Sequence, residues 1–176
     1  MPAGQVQIAA MGRAHLAQVA AVEALSNPHP WPLSLFRDEL KMPTSRHWLV
    51  ALRGREVLGF AGIMWTLDEA HITNFAVHPE HRRAQVATRL LLAQLADAVG
   101  LGVNDVSLEV RMSNRAAQEL YRGFGFVPGG IRHGYYNDNR EDALIMWAND
   151  IGSDAEVARR DGIEASLRAP LVRSRR

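Results

Sequence analysis

Two side chains in this sequence have the types and the placement for proton transfer. Glu109 lies in Val106-Ser107-Leu108-Glu109-Val110-Arg111, and Tyr121 follows in Ala117-Gln118-Glu119-Leu120-Tyr121. Alternation at Val106, Leu108 and Val110 reads as a strand whose other face carries Ser107, Glu109 and Arg111, while Ala117, Leu120, Tyr121 and Phe124 fall at helical spacing. A carboxylate and a phenol near one strand-to-helix junction, facing one cleft, suit a reaction that removes a proton from one group and returns one to another. The residues alone leave a second reading open for each. Glu109 could be an edge-strand carboxylate paired with Arg111 or Arg132, and Tyr121 a core aromatic with a wet hydroxyl.

A second chemical feature is the segment His78-Pro79-Glu80-His81-Arg82-Arg83-Ala84-Gln85-Val86, between an expected strand and an expected helix. A helix N-terminus offers unpaired N–H groups and the positive end of a dipole, and Arg82, Arg83 and the Thr88 hydroxyl could add hydrogen bonds to a phosphate. The same arginines also read as solvated surface. His78 with His81 lacks the carboxylate or cysteine support of a metal site, so no metal is assigned.

The elements that must position these groups follow from periodicity. Val6, Ile8 and Ala10 alternate as a strand, and an amphipathic helix runs from Leu16 to near Ser26. Asn27-Pro28-His29-Pro30-Trp31-Pro32 is a stiff extended loop, followed by a short helix from about Ser34 to Leu40. Trp48 to Arg53, Val57 to Leu67 and His71 to Val77 form an antiparallel meander with turns at Gly54-Arg55-Glu56 and Asp68-Glu69-Ala70. A helix over Ala87 to Val99 closes at Gly100 and Gly102, and Gly125 suits a left-handed cap before a strand from Phe126 to Arg132. A polar loop from Gly134 to Glu141 leads to a last strand, Ala143 to Trp147. The expected class is α+β, a mixed sheet covered by helices.

Composition bounds the function. The chain has 176 residues, 47% of them hydrophobic, which fits one domain with a real core. A net charge of +1 gives no support for a general polyanion surface, and the absence of cysteine excludes disulfides, thiolate metal sites and cysteine nucleophiles. The opening Met1-Pro2-Ala3-Gly4-Gln5 lacks a cleavable signal layout and no apolar run is long enough to span a bilayer, so a cytoplasmic location is expected. Residues 1–149 are expected to form the domain and 150–176 a charged, mobile C-terminal extension. Its last arginines, Arg168, Arg173, Arg175 and Arg176, leave both a solvated tail and an RNA contact open, and no nucleic-acid site is assigned.

Arg82-Arg83-Ala84-Gln85-Val86-Ala87 resembles the cofactor loop of the GNAT superfamily of acyl-CoA N-acyltransferases, Gln/Arg-x-x-Gly-x-Gly/Ala between a strand and a helix. Gln85 stands where that superfamily has its first glycine, a position that lets backbone approach a pyrophosphate closely. Its long side chain is expected to point to solvent. Within the superfamily the chain is similar, from about Asn27 to Trp147, to the bacterial ribosomal-protein alanine N-acetyltransferases of the RimI type. Four segments carry the likeness: His29-Pro30-Trp31 with Phe36 and Glu39-Leu40; Asn74 to Pro79; Leu108 to Asn114 with Leu120-Tyr121 and Gly125-Phe126; and Arg132 with Tyr135-Tyr136 and Glu141-Asp142-Ala143.

The resemblance implies a GNAT-type, mostly antiparallel sheet flanked by helices, with a splayed cleft for acetyl-CoA as co-substrate. It implies Glu109 as general base, Tyr121 as general acid, Asn114 as a hydrogen-bond partner of the cofactor, and Tyr135 and Tyr136 as holders of a substrate N-terminus. The Val77 N–H is expected to polarise the acetyl carbonyl, with Phe75 and Ala76 flanking the thioester. Trp31 would face the paired tyrosines across an extended peptide, and Glu141 or Asp142 would attract basic residues after its first alanine. Trp31 capping the core and Glu141 in a solvated turn are the competing readings. The expected partner is the N-terminus of a small-subunit ribosomal protein, and the expected state a monomer. Acetylation of a small amine, or acyl-CoA or ribosome binding without catalysis, are the alternatives.

Overall fold

The computed structural model describes residues 5–174. The opening residues read for a signal, through Gly4, and the terminal Arg175 and Arg176 lie outside the described residues. In chain order the elements are β1 (Gln7–Ala10), α1 (Leu16–Ser26), α2 (Leu33–Glu39), β2 (Arg46–Arg53), β3 (Glu56–Thr66), β4 (Glu69–Val77), α3 (Val86–Gly100), β5 (Asp105–Arg111), α4 (Arg115–Gly123), β6 (Val127–Arg132), β7 (Ala143–Ala148), α5 (Asp154–Ala165) and β8 (Val172–Arg173). They build one eight-stranded sheet ordered β6-β7-β5-β4-β3-β2-β1-β8. Neighbouring strands are antiparallel except β4 with β5 and β1 with β8.

The parallel β4–β5 seam is short. Only Glu69–His71 pairs with Asp105–Ser107, although β4 continues to Val77 and β5 to Arg111. Beyond the seam each strand is held from its far side, β4 by β3 and β5 by β7. A register shift at Gly62/Ile63 leaves Thr73 as the extra residue of β4, and its hydroxyl donates to the Gly62 carbonyl at 3.2 Å. Such a bulge bends its strand, here two residues past the last pair with β5.

Helices cover both faces of the sheet. On one face α1 and α2 bury Leu16, Val19, Val22 and Phe36 against Trp48, Val50 and Phe60. On the other, α3 and α4 bury Leu91, Leu95 and Tyr121 against Val106, Leu108 and Val110. The α4 boundaries have local causes. Asn114 caps its start by accepting from the Ala117 N–H at 3.2 Å, and Gly125 ends it at φ +88°, the left-handed conformation glycine adopts freely.

The C-terminal segment differs from the expectation of a mobile extension. Ser153 accepts from the Glu156 N–H at 3.4 Å to start α5, with Asp154 and Glu156 in its first turn, a start signal that the mixed charges masked. The chain then runs along α3 and adds β8 beside β1.

Gly62 sits where the bulge meets the aromatic core. A Cβ there would lie 2.4 Å from the ring of Trp48, which is buried against Trp31, Phe36 and Phe60. Gly62→Ala is therefore expected to cost about 1–3 kcal/mol by overpacking, read as a lower urea midpoint, and an unchanged midpoint would show that the ring can move.

Candidate active site

Glu109 projects from the polar face of β5 and is nearly buried, with both carboxylate oxygens engaged. Oε1 meets Arg132 Nε at 3.0 Å and Oε2 meets His71 Nε2 at 2.8 Å. His71 Nδ1 in turn lies 2.9 Å from Ser107 Oγ. His71 reaches Glu109 because the parallel seam sets it opposite Ser107, two residues before Glu109, and alternate residues share a face. The pairing with Arg132 is thus real, and His71 is a site residue that the sequence reading did not find. Its only signal is its place opposite β5, which needs the register to be known.

Tyr121 approaches from the opposite face of the sheet. It packs with Leu108 and Val110, whose side chains alternate with that of Glu109, and its ring lies 6.3 Å from Phe75 and 5.6 Å from Phe126. The two groups thus lie on opposite faces of the sheet instead of sharing one wall. Burial raises the Tyr121 pKa well above that of a free phenol, and the nearby Tyr136 adds to the shift, so the hydroxyl keeps its proton at neutral pH. Tyr136 feels Glu109 as well, but burial is the main reason its own pKa is pushed up to about 12.

β4 carries the expected flanking residues. Phe75 faces Tyr121, while Ala76 packs on the α1–α2 side. His78 N–H bonds Leu58 O at 2.8 Å, and Val77, one residue earlier and opposite Gly59, falls at a position whose N–H points away from β3 and into the gap.

The loop before α3 is curled by two left-handed residues, Arg83 at φ +64° and Gln85 at φ +59°. Arg82, Arg83 and Ala84 are exposed, Val86 is buried, and Ala87 and Thr88 are half-buried in the first turn of α3. The N–H groups of that turn have no acceptor within the helix, so the segment suits phosphate oxygens. Gln85 keeps the backbone shape that glycine would give, but its side chain does not point to solvent. Its Oε1 accepts from the Arg168 N–H at 3.0 Å. Asn114 uses its oxygen to cap α4, which leaves its amide NH₂ as the group able to donate to a cofactor.

Two loops form a cleft of about 500 Å³, lined by Asn27 and His29 on one side and Tyr135, Tyr136, Asn137, Asp138 and Arg111 on the other. Trp31 belongs to the expected loop but is packed inward, with ring centroids 5.5 Å from Phe36 and 5.9 Å from Trp48. The wall it was expected to form is made by Asn27 and His29. The loop's anchor is Glu23, a fully buried carboxylate that accepts from Trp31 N–H at 3.1 Å and Asn27 Nδ2 at 3.2 Å. Glu23 was invisible in sequence, where it reads as one acid on an amphipathic helix.

Arg111 organises the opposite loop. Its guanidinium lies 3.8 Å from the Tyr136 ring centroid and bonds Asp138 at 2.9 Å and Glu141 at 3.1 Å. Glu141 also accepts from the Ser113 N–H at 2.7 Å, so its carboxylate ties the loop to the end of β5. Asp142 likewise accepts from the Gly134 N–H at 2.8 Å and pairs with His133 at 2.9 Å.

Comparison with known proteins agrees with this geometry. Residues 16–126 match the model of the acetyltransferase (GNAT) family. A Bacillus subtilis protein named provisionally as a ribosomal protein bS18-alanine N-acetyltransferase is 42% identical over 129 residues, covering 73% of this chain and 85% of that protein. The N-alpha-acetyltransferase RimI of Mycobacterium tuberculosis is 35% identical over 147 residues, covering 80% of this chain and 90% of that protein. Among solved structures, the ribosomal-protein-S18-alanine N-acetyltransferase of Escherichia coli superposes with a TM-score of 0.76 at 30% identity, covering 83% of this chain and 94% of that one. The open, mostly antiparallel sheet flanked by helices is thus the fold of those proteins.

The Glu141 contacts generate a pH test. Hydrogen bonds from Ser113 hold its carboxyl at about 2, well below the usual range, with Arg111 and Asn139 adding to the effect. A depressed folded value gives stabilisation that is complete above the unfolded pKa, about 4.3, and is lost as pH falls through the folded value. Glu141→Gln should therefore lower Tm at pH 7, with the gap to wild type closing as pH drops from about 4 toward 2. A gap independent of pH would contradict the ionic role.

Proposed function

We propose the function from its family: this chain belongs to the GNAT acetyltransferase family, and it transfers acetyl from acetyl-CoA to the N-terminal α-amine of a protein. The substrate we assign is the N-terminal alanine of small-subunit ribosomal protein bS18, the protein named for the relatives from B. subtilis and E. coli. The observation that carries this reading is that Tyr136, which lines a cleft walled by two loops, lies near both Glu109 and Tyr121, which flank the sheet beside the point where β4 and β5 part. A channel between loops suits an extended chain terminus.

Acetyl-CoA supplies an activated acyl group, and the residues here fit it. The exposed N–H groups before α3, with Arg82 and Arg83, suit its phosphates, and Phe75 with Tyr121 lines the gap for its thioester end. The remaining chemistry is proton handling. A protein α-amine has a pKa of about 8 and attacks only when neutral, so a proton must leave it. Glu109 takes that proton, directly or through one water, while Arg132 and His71 fix the direction of each carboxylate oxygen. Tyr121 donates its hydrogen bond to the sulfur as charge builds there, which suits a buried phenol that stays protonated. The Val77 N–H is placed to polarise the carbonyl. No covalent bond to the enzyme is required.

Two variants test the roles. Tyr121→Phe should lower kcat by about 10²-fold or more while leaving acetyl-CoA affinity unchanged. Glu109→Gln should lose most rate at neutral pH and recover part of it as pH rises past about 8, where solvent deprotonates the amine. Wild-type kinetics in both would remove the mechanism. Substrate class is tested by incubating the protein with acetyl-CoA and a panel of peptides and small amines, following thiol release and product mass. Acetylation of the terminal nitrogen of an alanine-first peptide is the expected result. Turnover of small amines only, or binding without turnover, would contradict the assignment.

A further inference from the structure

The cofactor loop is gripped from behind by the C-terminal segment. Three residues take part, Gln85 just before α3 and then Arg89 and Asp97 along it. The Arg168 N–H donates to Gln85 Oε1 at 3.0 Å. Arg89, one turn further and 4% exposed, donates from Nη2 to Ala169 O at 2.5 Å and from Nη1 to Pro170 O at 2.9 Å. Arg173 then meets Asp97 Oδ2 at 2.5 Å, and β8 pairs Val172 and Arg173 with Gln7 and Ile8 of β1. Residues 168–173 thus form a strap, and all of it lies outside the region matched by the family model.

The strap touches the one residue of the loop that departs from the family pattern. Gln85 is left-handed at φ +59°, a conformation that costs a residue with a Cβ free energy that glycine does not pay. A side chain anchored to a fixed N–H favours the rotamers and backbone compatible with that bond. The anchor is fixed in turn by Arg89. A buried guanidinium must find acceptors, and here the two named are main-chain carbonyls of the strap immediately after Arg168. The chain therefore holds by tertiary contact a curl for which the family pattern has glycine.

We propose that Gln85, Arg89 and the strap 168–173 are positioning residues for acetyl-CoA: they hold the phosphate-binding loop curled before the cofactor arrives. This rests on the cofactor reading given above. A preformed loop saves the ordering cost that would otherwise weaken binding, so loosening the strap acts on cofactor affinity and not on the transfer step.

The test is a double-mutant cycle in the full chain, with steady-state kinetics, acetyl-CoA calorimetry and thermal unfolding for each variant. Arg89→Met, similar in length and free of charge, should raise the KM for acetyl-CoA by about ten-fold, a typical loss for charge-assisted bonds, with kcat and the peptide KM unchanged. Gln85→Gly should change KM by less than Arg89→Met does, because glycine reaches the curl without the Cβ cost that the tether offsets. In the Gln85→Gly background, Arg89→Met should then leave KM unchanged while still lowering Tm. An equal rise in KM in both backgrounds would overturn the proposal, as would a fall in Tm with no change in KM. Wild-type protein that fails to bind acetyl-CoA would sink the cofactor reading and the strap role together. Wild-type binding with Arg89→Met indifferent would sink the strap role alone.

Discussion

Everything chemical in this molecule depends on two parallel strands parting after three residue pairs. β4 and β5 are bonded from Glu69 to His71 and from Asp105 to Ser107, and then each is held only by its outer neighbour. A fully zipped seam would spend the Val77 N–H on a ladder bond and shut the path from Tyr121 to the polar face. The bulge at Thr73 supplies the bend, and Gly62 makes room for the Trp48 ring behind it. The gap is thus set by backbone geometry, with the aromatic core as its support.

The parted strands separate two tasks by face. Beneath the sheet, α3 and α4 supply a phosphate-ready loop and a buried phenol. Above it, Glu109 and the two loops are, in the proposed reaction, where the amine enters. Paired charges hold the upper face in shape. Arg132 and His71 orient Glu109, Arg111 binds the loop of Tyr136 through Asp138 and Glu141, and Glu23 holds the loop of Asn27 to Trp31. Many of the charges near the cleft, those of Glu141 and Asp142 among them, are therefore held by partners within the protein.

The fold was legible in sequence because it rests on local pattern, and the same pattern gave the positions of the proposed reacting pair. Alternation placed Glu109 on the polar face of its strand, helical spacing placed Tyr121, and Gly125 marked the end of α4 at a true left-handed cap. What was not legible depends on register or distant contact. His71 joins Glu109 only through a parallel pairing that no local rule predicts. Trp31 left a peptide wall and a core cap both open, and its packing on Phe36 and Trp48 depends on strands distant in sequence. The C-terminal segment read as a charged tail, since the partners that contact it, Gln85 before α3 and Arg89 and Asp97 on it, lie far earlier in the chain. A lone arginine on an otherwise apolar helix face was the available hint.

The central claim is that the gap between β4 and β5 seats a thioester between the Val77 N–H and the Tyr121 hydroxyl. A crystal structure of the protein with a bisubstrate analogue joining coenzyme A to an alanine-first peptide tests it most directly. The account predicts the sulfur within hydrogen-bond reach of the Tyr121 oxygen, the carbonyl on the Val77 N–H, and the peptide between Asn27 and Tyr136. An analogue seated elsewhere, or a phenolic oxygen turned away from the sulfur, would contradict it.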